Sequence, residues 1–132
     1  MRSAIFIALA VAAAAPVSAA TPQHEKGEAA LQALLEGRVA GKPVSCLSLP
    51  LLGSSQVIDK TAIVYRTAGR RLYVNRPRSG ADSLNSDDIM VTRLSTSQLC
   101  NVDTVDMVDR FSHAPTGFVI LGDFVPYDRP AR

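Results

Sequence analysis

Thr61-Ala62-Ile63-Val64-Tyr65-Arg66-Thr67-Ala68-Gly69-Arg70-Arg71-Leu72-Tyr73-Val74-Asn75 is the stretch that decides the fold class. Residues 61–67 and 71–75 are rich in β-branched and aromatic side chains, and the three residues between them leave room only for a tight turn. An antiparallel hairpin over residues 61–75 is therefore expected, with Gly69 taking the positive φ of the turn. Ile63 and Tyr65 point to the face opposite Val64 and Arg66. Leu72 and Val74 likewise oppose Arg71 and Tyr73, the pattern of a sheet with one face buried.

Working outward, Val44-Ser45-Cys46-Leu47-Ser48-Leu49 alternates with period two after the turn Gly41-Lys42-Pro43. Gly53-Ser54-Ser55 reads as a loop before Gln56-Val57-Ile58. Residues 76–88 are polar and form the longest loop, Ile89-Met90-Val91-Thr92-Arg93-Leu94 is a further strand, and Leu99-Cys100 follows. Asp103 is placed to cap a short helical turn over residues 104–109. The apolar run of residues 117–125 reads as one final strand bent at Gly122. Upstream, Thr21-Pro22 suits a helix N-cap and first turn, Ala30, Leu31, Leu34 and Leu35 share one helical face, and Gly37 stops a helix over residues 22–36. The sum is a mostly β, α+β domain: a small antiparallel barrel or sandwich of about six strands, one short N-terminal helix, and an extended tail over residues 126–132 carrying Pro126 and Pro130.

The chain has 132 residues and opens with one basic residue, Arg2, then an uncharged run from Ala4 to Ala15, Pro16, and the small residues Val17-Ser18-Ala19. That order is the pattern of a secretory signal, residues 1–19, too short to span a bilayer and with no second apolar stretch to anchor the mature chain. The expected address is outside the cytoplasm, most simply the bacterial periplasm. Residues 20–132 have the size of one domain. Without Arg2, 13 basic residues face 12 acidic ones, a net charge of +1, and this balance argues against general nucleic-acid binding.

Cys46 and Cys100 are the only cysteines, 54 positions apart. In an oxidising compartment an even pair most simply forms one disulfide, and closing a loop of that length removes denatured-state entropy worth about 4 kcal/mol. The spacing is unlike that of a redox C-x-x-C pair, and no histidine lies near either cysteine to suggest a metal site.

Cys46, the Val57-Ile58-Asp59 segment, the Ile63-Val64-Tyr65 and Tyr73-Val74-Asn75 strands, and Gln98-Leu99-Cys100 ahead of Asp103 resemble a group of short exported bacterial proteins described only as a domain of unknown function. The resemblance covers residues 38–110. It implies an exported single domain and carries no activity, cofactor or catalytic residue with it.

Four features are candidate sites. Arg66, Arg70, Arg71, Arg76 and Arg78 crowd the hairpin and the loop after it; with Arg66, Arg71 and Arg76 together at one end they would fork onto carboxylates or phosphates of an anionic ligand, a cell-envelope polymer or an acidic partner, and dispersed, they would form a solvated face that keeps the edge soluble or pairs with Asp82, Asp87 and Asp88. Asp82, Asn85, Asp87 and Asp88 offer oxygen ligands but lack the alternation and central glycine of a calcium loop. Only His24 and His113 could act as histidine bases, and Ser112 beside His113 has no nucleophile-elbow context. The tail Phe124-Val125-Pro126-Tyr127-Asp128-Arg129-Pro130 either docks on a partner or lies back on its own sheet. The expectation is a binding module acting on an envelope protein or as an inhibitor, with an anion-binding domain and a hydrolase using His113 as the alternatives; no catalytic residue, metal or cofactor is assigned.

Overall fold

In the computed structural model, residues 21–131 are described; the expected signal, residues 1–19, lies outside them. Helix α1 spans Pro22–Leu35. Thr21 is its N-cap, its hydroxyl accepting from the His24 N–H at 3.4 Å, and Pro22 occupies the first turn, where its missing N–H costs nothing. At the other end Gly37 takes φ +73 and the Arg38 N–H closes onto Leu35 O at 3.0 Å, a left-handed stop that turns the chain back toward the sheet.

Ten strands follow among the described residues: β1 Val39–Ala40, β2 Cys46–Ser48, β3 Leu52–Ile58, β4 Ala62–Thr67, β5 Leu72–Asn75, β6 Ile89–Thr92, β7 Gln98–Cys100, β8 Thr104–Val108, β9 Pro115–Ile120 and β10 Phe124–Asp128. They form three antiparallel sheets, ordered β1-β10-β5-β4-β3, β2-β7 and β6-β8-β9. Among the described residues the fold is therefore mostly β with one α-helix, as expected. The expectation of about six strands in a small barrel is corrected, because the outer edges of β3 and β6 do not pair and the sheets do not close.

The expected hairpin is β4–β5, with Tyr65 opposite Tyr73 and Val64 opposite Val74. It is buried on both faces rather than one. Ile63 and Tyr65 pack with Phe124 against Leu47, Leu99, Val105, Met107 and Val119 from the two smaller sheets and against Leu121 just after β9. Ala62, Val64, Leu72 and Val74 meet Leu31 of α1. Full burial of Leu31 stabilises this docking by about 2 kcal/mol. The close approach requires Gly27, since a Cβ there would run into the Thr61 hydroxyl and lie 2.5 Å from Asp59 O.

Cys46 and Cys100 are bonded, as expected, and stand directly opposite in the β2–β7 ladder with Cα atoms 4.0 Å apart. Four local expectations are corrected. Residues 104–109 hold strand β8, not a helical turn: Val105 and Met107 are buried and alternate with Thr104 and Asp106, and pairing with β6 on one side and β9 on the other outweighs a single helical turn. Asp103 accepts from the Cys100 N–H at 2.6 Å instead. Gly53-Ser54-Ser55 belongs to β3, where a bulge between Leu52 and Ser54 absorbs the irregular register. In the β4–β5 turn the left-handed residue is Arg70, at φ +66, and not Gly69. Finally, the run of residues 117–125 is two strands in different sheets. The corner at Gly122 is held by Asn75, whose Nδ2 donates to Gly122 O at 2.7 Å while its Oδ1 accepts from the Gly122 N–H at 3.0 Å, all within the buried interior.

Candidate functional site

Four arginines meet at the end of the five-stranded sheet beside the β4–β5 turn. Arg38 follows the helix stop at Gly37, Arg66 lies near the end of β4, Arg70 occupies the left-handed turn position, and Arg129 follows β10. With Thr67 and Leu72 they line an open cleft of about 660 Å³. Register explains the convergence: Arg66 opposes Leu72, Leu72 opposes Tyr127, and these lie on the helix side of the sheet. Arg129 leaves β10 two residues after Tyr127, on the same side by strand alternation.

The side chains are partly held in advance. Arg38 Nη1 donates to Arg70 O at 2.9 Å and to Tyr127 O at 3.4 Å, and its Nε is buried with no hydrogen-bond partner among the described residues. Arg66 Nη2 donates to Gln56 Oε1 at 3.2 Å. None of the four forms an ion pair among the described residues, and no carboxylate lines the cleft. Four guanidinium groups sharing one concavity with no carboxylate in its lining raise the local positive potential and favour an incoming anion.

The remaining arginines flagged from sequence lie elsewhere. Arg71 lies on the other face of the hairpin, where its Nε donates to Asp128 Oδ1 at 2.7 Å and its guanidinium sits 6.0 Å from the Tyr73 ring centroid. That hydrogen bond, with the charges of Arg71 and Arg38, holds the Asp128 carboxyl below the usual carboxylate range. Arg76 grips Glu28 of α1 with both terminal nitrogens, at 2.5 and 3.0 Å, and so fastens helix to sheet. Arg78 donates from Nε to Leu121 O at 3.1 Å and from its backbone to Ile120 O at 2.9 Å, strapping the loop of residues 76–88 to β9. Arg66, Arg71 and Arg76 therefore do not come together: Arg66 and Arg70 enter the cleft, while Arg71, Arg76 and Arg78 are engaged in structure. Arg38 and Arg129 were not singled out from sequence. The helix stop before Arg38 was legible, but only the placement of β10 between β1 and β5 brings Arg129 beside it.

The other candidates resolve into local roles. Among the described residues no group of three or more His, Cys, Asp or Glu side chains is arranged to hold a metal ion. Asp88 Oδ2 accepts from the Thr116 hydroxyl at 2.6 Å, Asn85 Oδ1 from the Asp87 N–H at 3.0 Å, and Asp82 contributes its backbone oxygen to Lys60 Nζ. Ser112 Oγ donates its hydroxyl proton to Asp109 Oδ1 at 2.9 Å, and His113 holds a left-handed turn position at φ +58. Asp109 accepts from the Ser112 N–H and hydroxyl and the Phe111 N–H, and these bonds hold its carboxyl below the usual range. His24 lies on α1, with Nδ1 3.3 Å from Lys60 O and Nε2 3.8 Å from Glu28. The C-terminal segment from Phe124 is β10 itself.

Comparison of the chain with protein-family models, curated proteins and solved structures gives no match.

Proposed function

We propose that this chain is an exported anion-binding module whose ligand sits in the cleft formed by Arg38, Arg66, Arg70 and Arg129. One observation carries the reading: four guanidinium groups line a single concavity without an acidic residue among them, while Arg71, Arg76 and Arg93 outside it are each paired with a carboxylate. Like charges gathered in one cleft repel one another, and a ligand that supplies the counter-charge relieves that repulsion. The disulfide and the signal-like N-terminus support the exported address, and the resemblance to short exported proteins belongs to the same reading.

The test is a calorimetric and NMR titration of residues 20–132 at low salt with a panel of phosphate, sulfate and carboxylate compounds. Binding should move the Nε–H resonances of the four cleft arginines and weaken in Arg70→Gln and Arg129→Gln, two exposed positions where folding is unaffected. Shifts confined to Arg71, Arg76 or Arg78, or the same affinity in both variants, would overturn the reading.

A second reading, an interaction module or inhibitor for an envelope protein, has its own feature. Phe111 is 89% exposed at the tip of the β8–β9 hairpin, in a turn fixed by the three hydrogen bonds onto Asp109. A rigid, exposed aromatic side chain is the form of an interface anchor. Phe111→Ser should abolish co-purification of an envelope protein while leaving anion binding in the cleft unchanged; co-purification that survives the substitution removes this reading.

A further inference from the structure

We infer that the ligand of the arginine cleft is a linear polyanion, a chain of closely spaced phosphate or carboxylate groups, rather than a single small anion or an acidic protein; the inference rests on the anion-binding reading above. The cleft volume of about 660 Å³ would hold roughly twenty waters at their liquid volume of about 30 Å³ each, so one oxyanion leaves it largely hydrated. Two of the four guanidinium groups are also not free to move onto a single ion. Arg38 is tied to two backbone oxygens and Arg66 to Gln56. The four residues also come from three separate parts of the chain: the end of α1, the β4–β5 hairpin and the segment after β10. Four cations lining an open concavity, two of them held in place, suit charges that are themselves strung along a chain.

An acidic protein fits less well. Protein interfaces are built on a desolvated apolar or aromatic centre, and among the described residues the only large apolar side chain lining this cleft is Leu72, which is already buried in the core beneath it. The large exposed hydrophobics, among them Leu51, Val102, Phe111 and Phe118, do not line it. Backbone phosphates or uronate carboxylates need no such centre, since bidentate contacts from arginine satisfy them directly.

The experiment compares orthophosphate, tripolyphosphate, long-chain polyphosphate, polygalacturonate and a glutamate peptide on the intact residues 20–132, with Arg70→Gln/Arg129→Gln as the control. Affinity should rise at least tenfold from orthophosphate to polyphosphate, and log K should fall with log salt at a slope of about −3, the value for four neutralised charges on a flexible chain. Polyphosphate binding more tightly than polygalacturonate assigns the charges to phosphate, and the reverse assigns them to carboxylate; either supports the inference. Orthophosphate binding as tightly as the polymers with a slope near −1 overturns it while the anion-binding reading stands. A glutamate peptide binding more tightly than both polymers overturns it in favour of an acidic protein. Polymer binding that the double variant leaves unchanged removes the cleft itself and both readings with it.

Discussion

Replacing Asn75 with Ala should destabilise the protein far more than the loss of one exposed side chain. Asn75 is fully buried and makes both of its hydrogen bonds to Gly122, the corner at which the chain leaves the β6-β8-β9 sheet for the β1-β10-β5-β4-β3 sheet. The substitution orphans the Gly122 N–H and C=O together in an interior that offers no replacement, and each buried unsatisfied group costs about 1–3 kcal/mol. The expected loss is about 4 kcal/mol, a large fraction of the stability of a domain this size, and a fall in Tm of about 15 °C. Urea denaturation followed by circular dichroism reads the first number and a thermal scan the second. Asn75→Asp provides the internal control. A protonated carboxyl can donate to Gly122 O and accept from Gly122 N, whereas an ionised one cannot donate and is buried unpaired, so this variant should lose more stability at pH 7 than at pH 4. An Asn75→Ala protein within about 1 kcal/mol of the parent, with an unchanged denaturant slope, would refute the reasoning.

Three further outcomes are expected. Gly27→Ala should destabilise by about 2 kcal/mol in urea denaturation despite the better helix propensity of alanine, because the new Cβ meets Thr61 and Asp59 where α1 lies on the sheet; a stabilised variant would show that the helix can lift without cost. Hydrogen bonding to Arg76 holds the Glu28 carboxyl below its usual range, so the pair stabilises the fold above the unfolded carboxylate value of about 4.3 and is lost as pH falls through the lowered folded value. Glu28→Gln should therefore cost up to about 1 kcal/mol at pH 7 and nothing near pH 2. Burial pushes the Tyr65 hydroxyl well above the ordinary tyrosine range, so the folded state keeps it neutral while the unfolded chain ionises near pH 10, and stability should fall above that pH. Ultraviolet titration should show one of the three tyrosines withheld until the protein unfolds.

The sheet was legible wherever composition and turn chemistry agreed. Residues 61–75 alternate, carry β-branched and aromatic residues and close through three turn residues, so β4–β5 could be placed from local pattern alone. Residues 104–109 could not. Their two valines three apart fit a helix as well as a strand, and the decision came from β6 and β9 offering ladder partners on both sides. The residues of 117–125 look continuous in sequence because both β9 and β10 are apolar; the corner depends on Asn75, 47 positions earlier. The candidate site divided in the same way. The crowding of five arginines over residues 66–78 was visible in sequence, but which of them become structural was settled by Glu28 and Asp128, 48 and 57 positions from their partners.

What the sequence determined by itself was therefore local: the N-capped helix with its glycine stop, the central hairpin, the antiparallel class, and a cysteine pair at a spacing suited to one crosslink. These follow from side-chain periodicity, φ preference and turn geometry, which act over a few residues. Only the tertiary structure decided that both faces of the hairpin are covered, that ten strands fall into three unclosed sheets, and that Arg38 and Arg129 join Arg66 and Arg70 in one cleft. Such decisions depend on which distant strands find each other, and that choice is made by the burial of whole faces and the pairing of backbone groups far apart in the chain, for which no local stretch of sequence carries the signal.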